Sequence, residues 1–549
     1  MAESISRRDL LQASGVAAAS AALAAVGSSF AFADEAEEAE ESESGMEEES
    51  TESESSDTEW EAEYDVIVVG AGLAGNVAAL TVADEGDGAT CLLLEKGSSP
   101  QGLTPYSEGR ILYTDNVEAM TTYLKALCNG VTPDDVLEAF AERMSQVEDW
   151  LYDHGAKEEW LLIKAPGTEE EFSETRKPEF PELEGSYSVG SINFQLTEDG
   201  EGYSHVLTFV QDLVAERSDV ITYQTECPVE DLIQDSETKE VIGVVANGVN
   251  YRANKGVIMC LGGFEDNEEM MKQYLNPAGA YTFGGPGNTG DGFDMCTKIG
   301  AKLWHMNGVA GFYNHFRTLD GENFIGTNSL KTKQYGITVG VNGRRFYQDW
   351  DAILSNAQES EDGYEYLSDA STHIGWRHGV TQFGGEWTVQ LMPSKSWFVC
   401  DSDNIALAIP EDYSTDVVAD GYALCADTIE ELAEAMEVPS DELVETVEFW
   451  NECCENGKDI AFHRSADALT PVATAPFYAV RCAPAMLNTF GGPERSAKGE
   501  ILDVNGDPIP HLYSAGEFGS IWSRYYQGCG AISECLNFGI IAAESALEN

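Results

Sequence analysis

Tyr64-Asp65-Val66-Ile67-Val68-Val69, followed without a break by Gly70-Ala71-Gly72-Leu73-Ala74-Gly75, is the stretch that decides the fold. Its first half is a short apolar run of the kind buried in a parallel sheet. The glycines and the helical pattern from Asn76 to Ala83 complete a strand–turn–helix unit. At this spacing Gly70 allows the tight turn and Gly72 lets the backbone approach a pyrophosphate. Gly75 lets helix and strand pack closely, and the phosphate sits at the helix N-terminus. A lone G-x-G-x-x-G says little. Here a second apolar strand, Cys91–Leu94, follows and ends in Glu95, an acid at the distance where a ribose hydroxyl finds its acceptor. A dinucleotide site follows, and NAD and FAD both satisfy it.

The rest of the chain chooses between them. Lys255 to Phe264 reads as a buried strand running into the glycine pair Gly262-Gly263, and Thr289-Gly290-Asp291-Gly292 opens a helix. Near the C-terminus Leu512-Tyr513-Ser514-Ala515-Gly516-Glu517 is a strand ending in Gly-Glu. Gly528-Cys529-Gly530-Ala531-Ile532 then opens a last helix through Ala546. On these residues the chain, from Tyr64 to its C-terminus, resembles the family of soluble fumarate reductases, aspartate oxidase, urocanate reductase and ketosteroid dehydrogenases. The resemblance implies an α/β fold: a doubly wound, Rossmann-like FAD-binding domain (64–305 and 488–549) interrupted by an α+β capping domain (306–487). It implies FAD, with Gly70, Ala71, Gly72, Gly75, Glu95, Lys96 and Gly102 at the ADP half. Gly262, Asp291, Glu517, Gly530, Ala531 and Ile532 would lie along the flavin half. A helix N-terminus at Gly530 suits negative charge on a reduced ring. No His stands at a family attachment position, so the FAD is expected to be non-covalent.

The same resemblance identifies what is missing. Fumarate reductases clamp a dicarboxylate with His and Arg and use an Arg as proton donor. In this chain Asn488 stands at the substrate His, Ile353 at the donor Arg, and Tyr526 at the Arg before the last glycine turn. Arg524-Tyr525-Tyr526-Gln527-Gly528-Cys529-Gly530-Ala531 is instead similar to the ketosteroid dehydrogenase pattern, in which a Tyr and the amide four residues on bind a substrate carbonyl. Tyr526 and Gly530 are therefore the expected catalytic groups. A phenol and an amide aimed at one oxygen would stabilise an enolate. Arg524 and Asn488 are the expected substrate contacts. Tyr335, Tyr347 and Asp351 are candidate proton donors by position, a Tyr being able to protonate an enolate. His305, His315 and Arg317 stand where they could touch substrate, and Trp350, Trp376, Trp387 and Trp397 read as core.

Composition bounds the partners. The formal charge is -67, with 16 acidic residues and no Lys or Arg between Asp34 and Glu63. A body this acidic repels nucleic acid and anionic lipid. The twelve Cys include no C-x-x-C, no C-x-x-C-H and no zinc spacing, so no metal site, c-type haem or ferredoxin cluster is expected. Ser6-Arg7-Arg8-Asp9-Leu10-Leu11, the weakly apolar run Ala13–Phe32 and the ending Ala31-Phe32-Ala33 resemble a twin-arginine signal peptide over residues 1–33. Residues 34–63 read as an acidic tether. No other run is long enough to span a bilayer. Together these point to an exported enzyme, in the periplasm or at the extracytoplasmic surface. It would reduce a small alkene conjugated to a carbonyl, with electrons from a membrane-bound or cytochrome donor. A ketosteroid-type dehydrogenase, or a non-catalytic flavoprotein electron shuttle, are the alternatives.

Overall fold

The apolar run opening at Tyr64 lies in strand β1 (Ala62–Val69), which feeds helix α1 (Leu73–Glu85); Cys91–Leu94 forms β2 beside it in parallel. Val66 and Val68 share one core with Cys91, Leu93 and the buried face of α1. Ile67 and Val69 point the other way, to Leu92, Leu94, Val257 and Met259. A strand apolar on both faces must be covered on both, which is why this run lacks alternation.

Beyond β2 lies β3 (Ile221–Gln224), while β4 (Val249–Met259) and then β5 (Pro508–Ser514) lie on the other side of β1, all parallel. The order β5-β4-β1-β2-β3 reverses direction between β1 and β4. Ligands of open α/β sheets bind at such a reversal, beyond the carboxyl ends of the strands. Those ends are where the chain places Gly70, Gly262 and Glu517. Val229–Gln234, Val241–Ala246 and Glu500–Leu502 add antiparallel edges. Helix α2 (Asp291–Lys298) follows the Thr289-Gly290 turn, and the terminal helix α3 (Gly530–Leu547) packs along α1. At Gly539 the two helices come so close that a Cβ would lie 2.9 Å from the Ala74 carbonyl oxygen.

A second sheet comes from residues between β4 and β5 in sequence. Its central strand, Phe477–Met486, pairs antiparallel with Tyr313–Arg317, Ser396–Asp401 and Ala423–Ala426, and parallel with Tyr281–Thr282. Ile337–Gly340 extends it beyond Ser396–Asp401. Trp397 is buried in its core beside Trp450. A third, three-stranded sheet joins Arg110–Tyr113, Gly190–Phe194 and Leu161–Lys164.

These features come from a computed structural model that describes residues 59–100, 102–107, 109–167, 178–180, 183–196, 205–275, 280–282, 284–311, 313–321, 323–325, 332–347, 349, 378–379, 395–462, 464, 466–523 and 525–549. The expected signal peptide, most of the expected acidic tether, Arg524, Asp351, Ile353, Trp350, Trp376 and Trp387 lie outside the described residues. Among the described residues no helix is long and apolar enough to cross a membrane, and no group of His, Cys, Asp and Glu could hold a metal ion. All twelve cysteines are free thiols, most of them buried.

Candidate active site

The β1–α1 turn has the shape its glycines require. Gly70 has φ +98°, and a Cβ there would lie 2.3 Å from the Cys260 carbonyl oxygen of the neighbouring strand end. A Cβ at Gly75 would lie 1.8 Å from the Gly70 carbonyl oxygen, so helix and turn touch through backbone alone. Gly72 differs: its φ is −64°, and the nearest atom to a Cβ would be Thr104 Oγ1 at 3.6 Å. Gly72 therefore has room for a side chain, with no more than an ordinary contact to Thr104. Glu95, 6% exposed, accepts from the Ala71 and Gly97 amides at 3.0 and 2.9 Å. Asn76 was not singled out in the sequence, yet its side chain is buried and donates to the Ala71 and Gly72 carbonyls at 2.6 and 3.0 Å. A polar residue in the first, otherwise apolar turn of the helix was the signal.

Lys96 Nζ reaches Thr289 Oγ1 and Asp291 Oδ2, each at 2.6 Å. Asp291 was expected along the flavin half. In the fold it pairs with the residue after Glu95, because the Gly290 turn (φ +74°) brings the start of α2 toward the end of β2. Asn288, another residue the sequence did not flag, would block a Cβ at either Gly102 or Gly262 (2.9 and 2.3 Å). Gly262 itself has φ +70°. The two glycines, far apart in sequence, thus flank one side chain.

At the opposite end α3 begins after Cys529, a non-glycine residue at φ +78°. A Cβ on Gly530 would lie 2.4 Å from the Trp522 ring and 2.8 Å from Tyr526. Tyr526 is buried, edge-on to Trp522 and tilted against Phe490. Tyr526 and the Gly530 amide were expected to bind one substrate oxygen; in the fold both groups have partners within the chain. The Gly530 N–H donates to the Gln527 carbonyl at 2.9 Å, closing the turn, and the Ala531 N–H donates to Tyr526 Oη at 2.8 Å. The left-handed Cys529 rotates the chain so that the amide reaching the phenol comes one residue later. Ile532, next in that first turn, is 9% exposed. Burial holds the Tyr526 phenol well above its ordinary pKa, so it is neutral at physiological pH and able to donate. Gln527 is fixed from the other side: its Oε1 accepts from Tyr123 Oη at 2.8 Å and from the Glu179 amide at 3.1 Å. Glu179 in turn accepts from the Gly528 amide at 3.0 Å.

Asn488, expected to contact substrate, is 4% exposed and its amide donates to the adjacent Thr489 carbonyl at 3.0 Å. Of the candidate proton donors, Tyr347 is buried and its hydroxyl accepts from Lys333 Nζ at 3.0 Å and Asn314 Nδ2 at 3.3 Å. Tyr335 is half-buried against the cluster around Phe316 and Phe398. His305 bonds the Ser520 carbonyl at 2.8 Å and stacks on Trp304. His315, whose pKa burial pushes down to about 4, packs against Phe324, and Arg317 lies over the Tyr281 and Phe324 rings. His305 thus tethers the 520 loop, while His315 and Arg317 pack within the second sheet and its flanking rings.

The arrangement fits FAD. A turn with room at Gly72, a buried acid at Glu95 and a cation at Lys96 suit the ADP half. Gly262, Glu517 and the first turn of α3 lie across the strand reversal, where the flavin half belongs. The comparisons agree. Residues 65–532 match the family model described as FAD binding domain. The chain is 27% identical over 519 residues to a digoxin reductase of Eggerthella lenta, covering 86% of this chain and 85% of that one. It is 24% identical over 576 residues to a 3-oxosteroid 1-dehydrogenase of Mycolicibacterium smegmatis, covering 88% and 96%. In fold it is similar to the 3-ketosteroid delta1-dehydrogenase of Sterolibacterium denitrificans (TM-score 0.69, 21% identity, 88% of this chain and 99% of that one). A flavocytochrome c3 fumarate reductase gives a TM-score of 0.62 at 22% identity, covering 89% and 79%. With both the first glycine cradle and the opening turn of the last helix inside the matched span, the chain belongs to the FAD-binding-domain family of flavoprotein oxidoreductases that act on carbon–carbon double bonds.

Proposed function

We propose that the protein is an exported reductase of a C=C bond conjugated to a carbonyl, using non-covalent FAD and electrons from a respiratory donor outside the chain. One observation carries the substrate reading: where dicarboxylate reductases are expected to hold cations, this chain places the neutral, aromatic-walled Tyr526, its hydroxyl on the Ala531 amide at the start of α3. An amide donating to a phenol oxygen polarises the phenol and strengthens it as a donor. The phenol would hold the substrate carbonyl and stabilise the charge that develops there. Bound FAD supplies hydride from N5. Phe490 and Trp522 exclude water and fix the Tyr526 ring. Neutral Asn488 at the family's His position argues against a dicarboxylate, as does the acidity of the whole chain. Export is supported by Arg7-Arg8 ahead of the weakly apolar run. An exported enzyme has no obvious access to cytoplasmic NADH, hence the outside donor.

The opposite direction is the second reading, favoured by the 3-oxosteroid 1-dehydrogenase that this chain matches over 96% of its length. The same phenol would then stabilise the enolate as hydrogen is removed. Anaerobic assay with reduced viologen against enones, enoates and steroids distinguishes the two, beside saturated substrates with an artificial acceptor. Oxidation of viologen by none of the alkenes would end the reductase reading. Once a substrate is found, Tyr526→Phe should lower turnover about 10²–10³-fold with FAD retained. Unchanged turnover removes Tyr526 from the carbonyl site.

A further inference from the structure

Two carboxyls meet behind the flavin-side glycines. Glu265 follows the Gly262-Gly263 pair beyond β4, and Glu517 closes the turn beyond β5. Their carboxyl groups face each other across shared partners, both within hydrogen-bond reach of the same two side chains. Asn288 Nδ2 donates to both, to Glu265 Oε1 at 3.0 Å and Glu517 Oε2 at 3.1 Å. Thr489 Oγ1 lies 3.1 Å from Glu265 Oε2 and 3.5 Å from Glu517 Oε1, and itself accepts from the Phe264 amide at 3.2 Å. A Cβ on Gly263 would stand 2.4 Å from an oxygen of each carboxyl. Among the described residues no Lys, Arg or His forms an ion pair with either acid. The Cys535 thiol on α3 is kept protonated by burial and brings no counter-charge, and the Arg495 guanidinium, which bonds the Gly516 and Phe518 carbonyls on either side of Glu517, pairs with Glu534 and with neither of these acids.

Two buried carboxyls that share neutral donors and form no ion pair resist double ionisation at ordinary pH. We propose that Glu265 and Glu517 share one proton across the neutral range, making Glu265 the positioning residue for the cofactor-side carboxylate Glu517. The shared proton supplies the hydrogen bond that joins the two acids. Losing it would set two like charges against each other and swing Glu517 away. The consequence reaches the cofactor corridor, because Asn288, held by both acids, is also the side chain that fills the space at Gly102 and Gly262. Burial, and for Glu517 the facing Glu265 charge, push both acids above the usual carboxylate range, which supports the same assignment.

The inference rests on the FAD site and not on the identity of the alkene, so a failed substrate assay leaves it standing. Its test is infrared spectroscopy of the FAD-loaded protein, labelled with ¹³C-glutamate to separate side-chain signals from flavin carbonyls. Spectra at about pH 8.5 avoid Glu534, whose pKa is raised to about 7 by burial and which would be ionised there. The wild type should show a protonated carboxyl, and Glu265→Gln and Glu517→Gln should each lose it. A band that survives in either variant, or is missing from the folded wild type, overturns the proposal. Should neither variant fold, the wild-type spectrum alone decides. The thermal midpoint gives an independent reading. The wild type should fall relative to Glu265→Gln as pH rises above the usual carboxylate range, whereas parallel curves refute the shared proton.

Discussion

Gly72→Ala separates the cofactor's needs from those of the fold. The residue has an extended, ordinary φ of −64°, and a Cβ would meet nothing closer than Thr104 Oγ1 at 3.6 Å. It is the N-cap of α1, where Ala is somewhat less favourable than Gly. Cofactor-free protein should therefore lose less than about 1 kcal/mol of stability. FAD tells a different story. If the pyrophosphate lies against this backbone, one methyl group pushes it off the amides at the start of α1. A charge-assisted hydrogen bond is worth about 1.5–3 kcal/mol, so each one lost weakens binding by about 10–10²-fold. The assay is a titration of deflavinated protein with FAD, followed by flavin fluorescence, beside the melting curve of the cofactor-free protein. An unchanged dissociation constant would mean that the backbone at Gly72 is not the pyrophosphate site.

Gly75→Ala should behave in the opposite way. Relieving the 1.8 Å contact with the Gly70 carbonyl oxygen to an ordinary 3.4 Å requires a backbone shift of roughly 1.6 Å. Even after the helical preference for Ala, about 2–3 kcal/mol should be lost with or without FAD, read as a lower melting midpoint of the cofactor-free protein; a normal midpoint would refute the contact. Arg495 is wholly buried and bonds the carbonyls of Gly516, Phe518 and Gly519, with Glu534 3.3 Å away. Arg495→Met strands that acid and should cost about 3–5 kcal/mol in denaturant unfolding, whereas a loss below about 1 kcal/mol would show that the ion pair contributes little. His315 is buried near Lys333 and Arg317, with its pKa lowered to about 4. A depressed histidine is neutral in the fold and binds its proton more readily when unfolded. Stability should therefore decline as pH falls from about 6.5 towards 4, by up to about 3 kcal/mol. His315→Phe should flatten that limb of the melting-point profile, and an unaltered acid limb would refute the assignment.

What the sequence alone determined is local: each of these signals acts within one strand–turn–helix unit. Gly70, Gly72 and Gly75 are spaced by the geometry of a single turn, Glu95 ends the next strand, and a short unalternating apolar run stopped by a glycine turn suits a strand covered on both faces. Steric and burial rules of that range leave their mark in consecutive residues. What only the tertiary structure decided depends on separate strands ending at the same place. The reversal of strand order between β1 and β4 brings Glu265, Asn288, Thr489 and Glu517 together from four distant segments, and no spacing along the chain encodes that. Asp291 lies at Lys96 for the same reason. The amide that reaches Tyr526 is Ala531's because of one left-handed residue, Cys529, whose conformation is set by the packing of Gly530 against Trp522 and Tyr526 and by the turn that Gln527 closes. A side chain's partner across the fold is fixed by where backbones come into contact in three dimensions, and that is information a linear pattern does not hold.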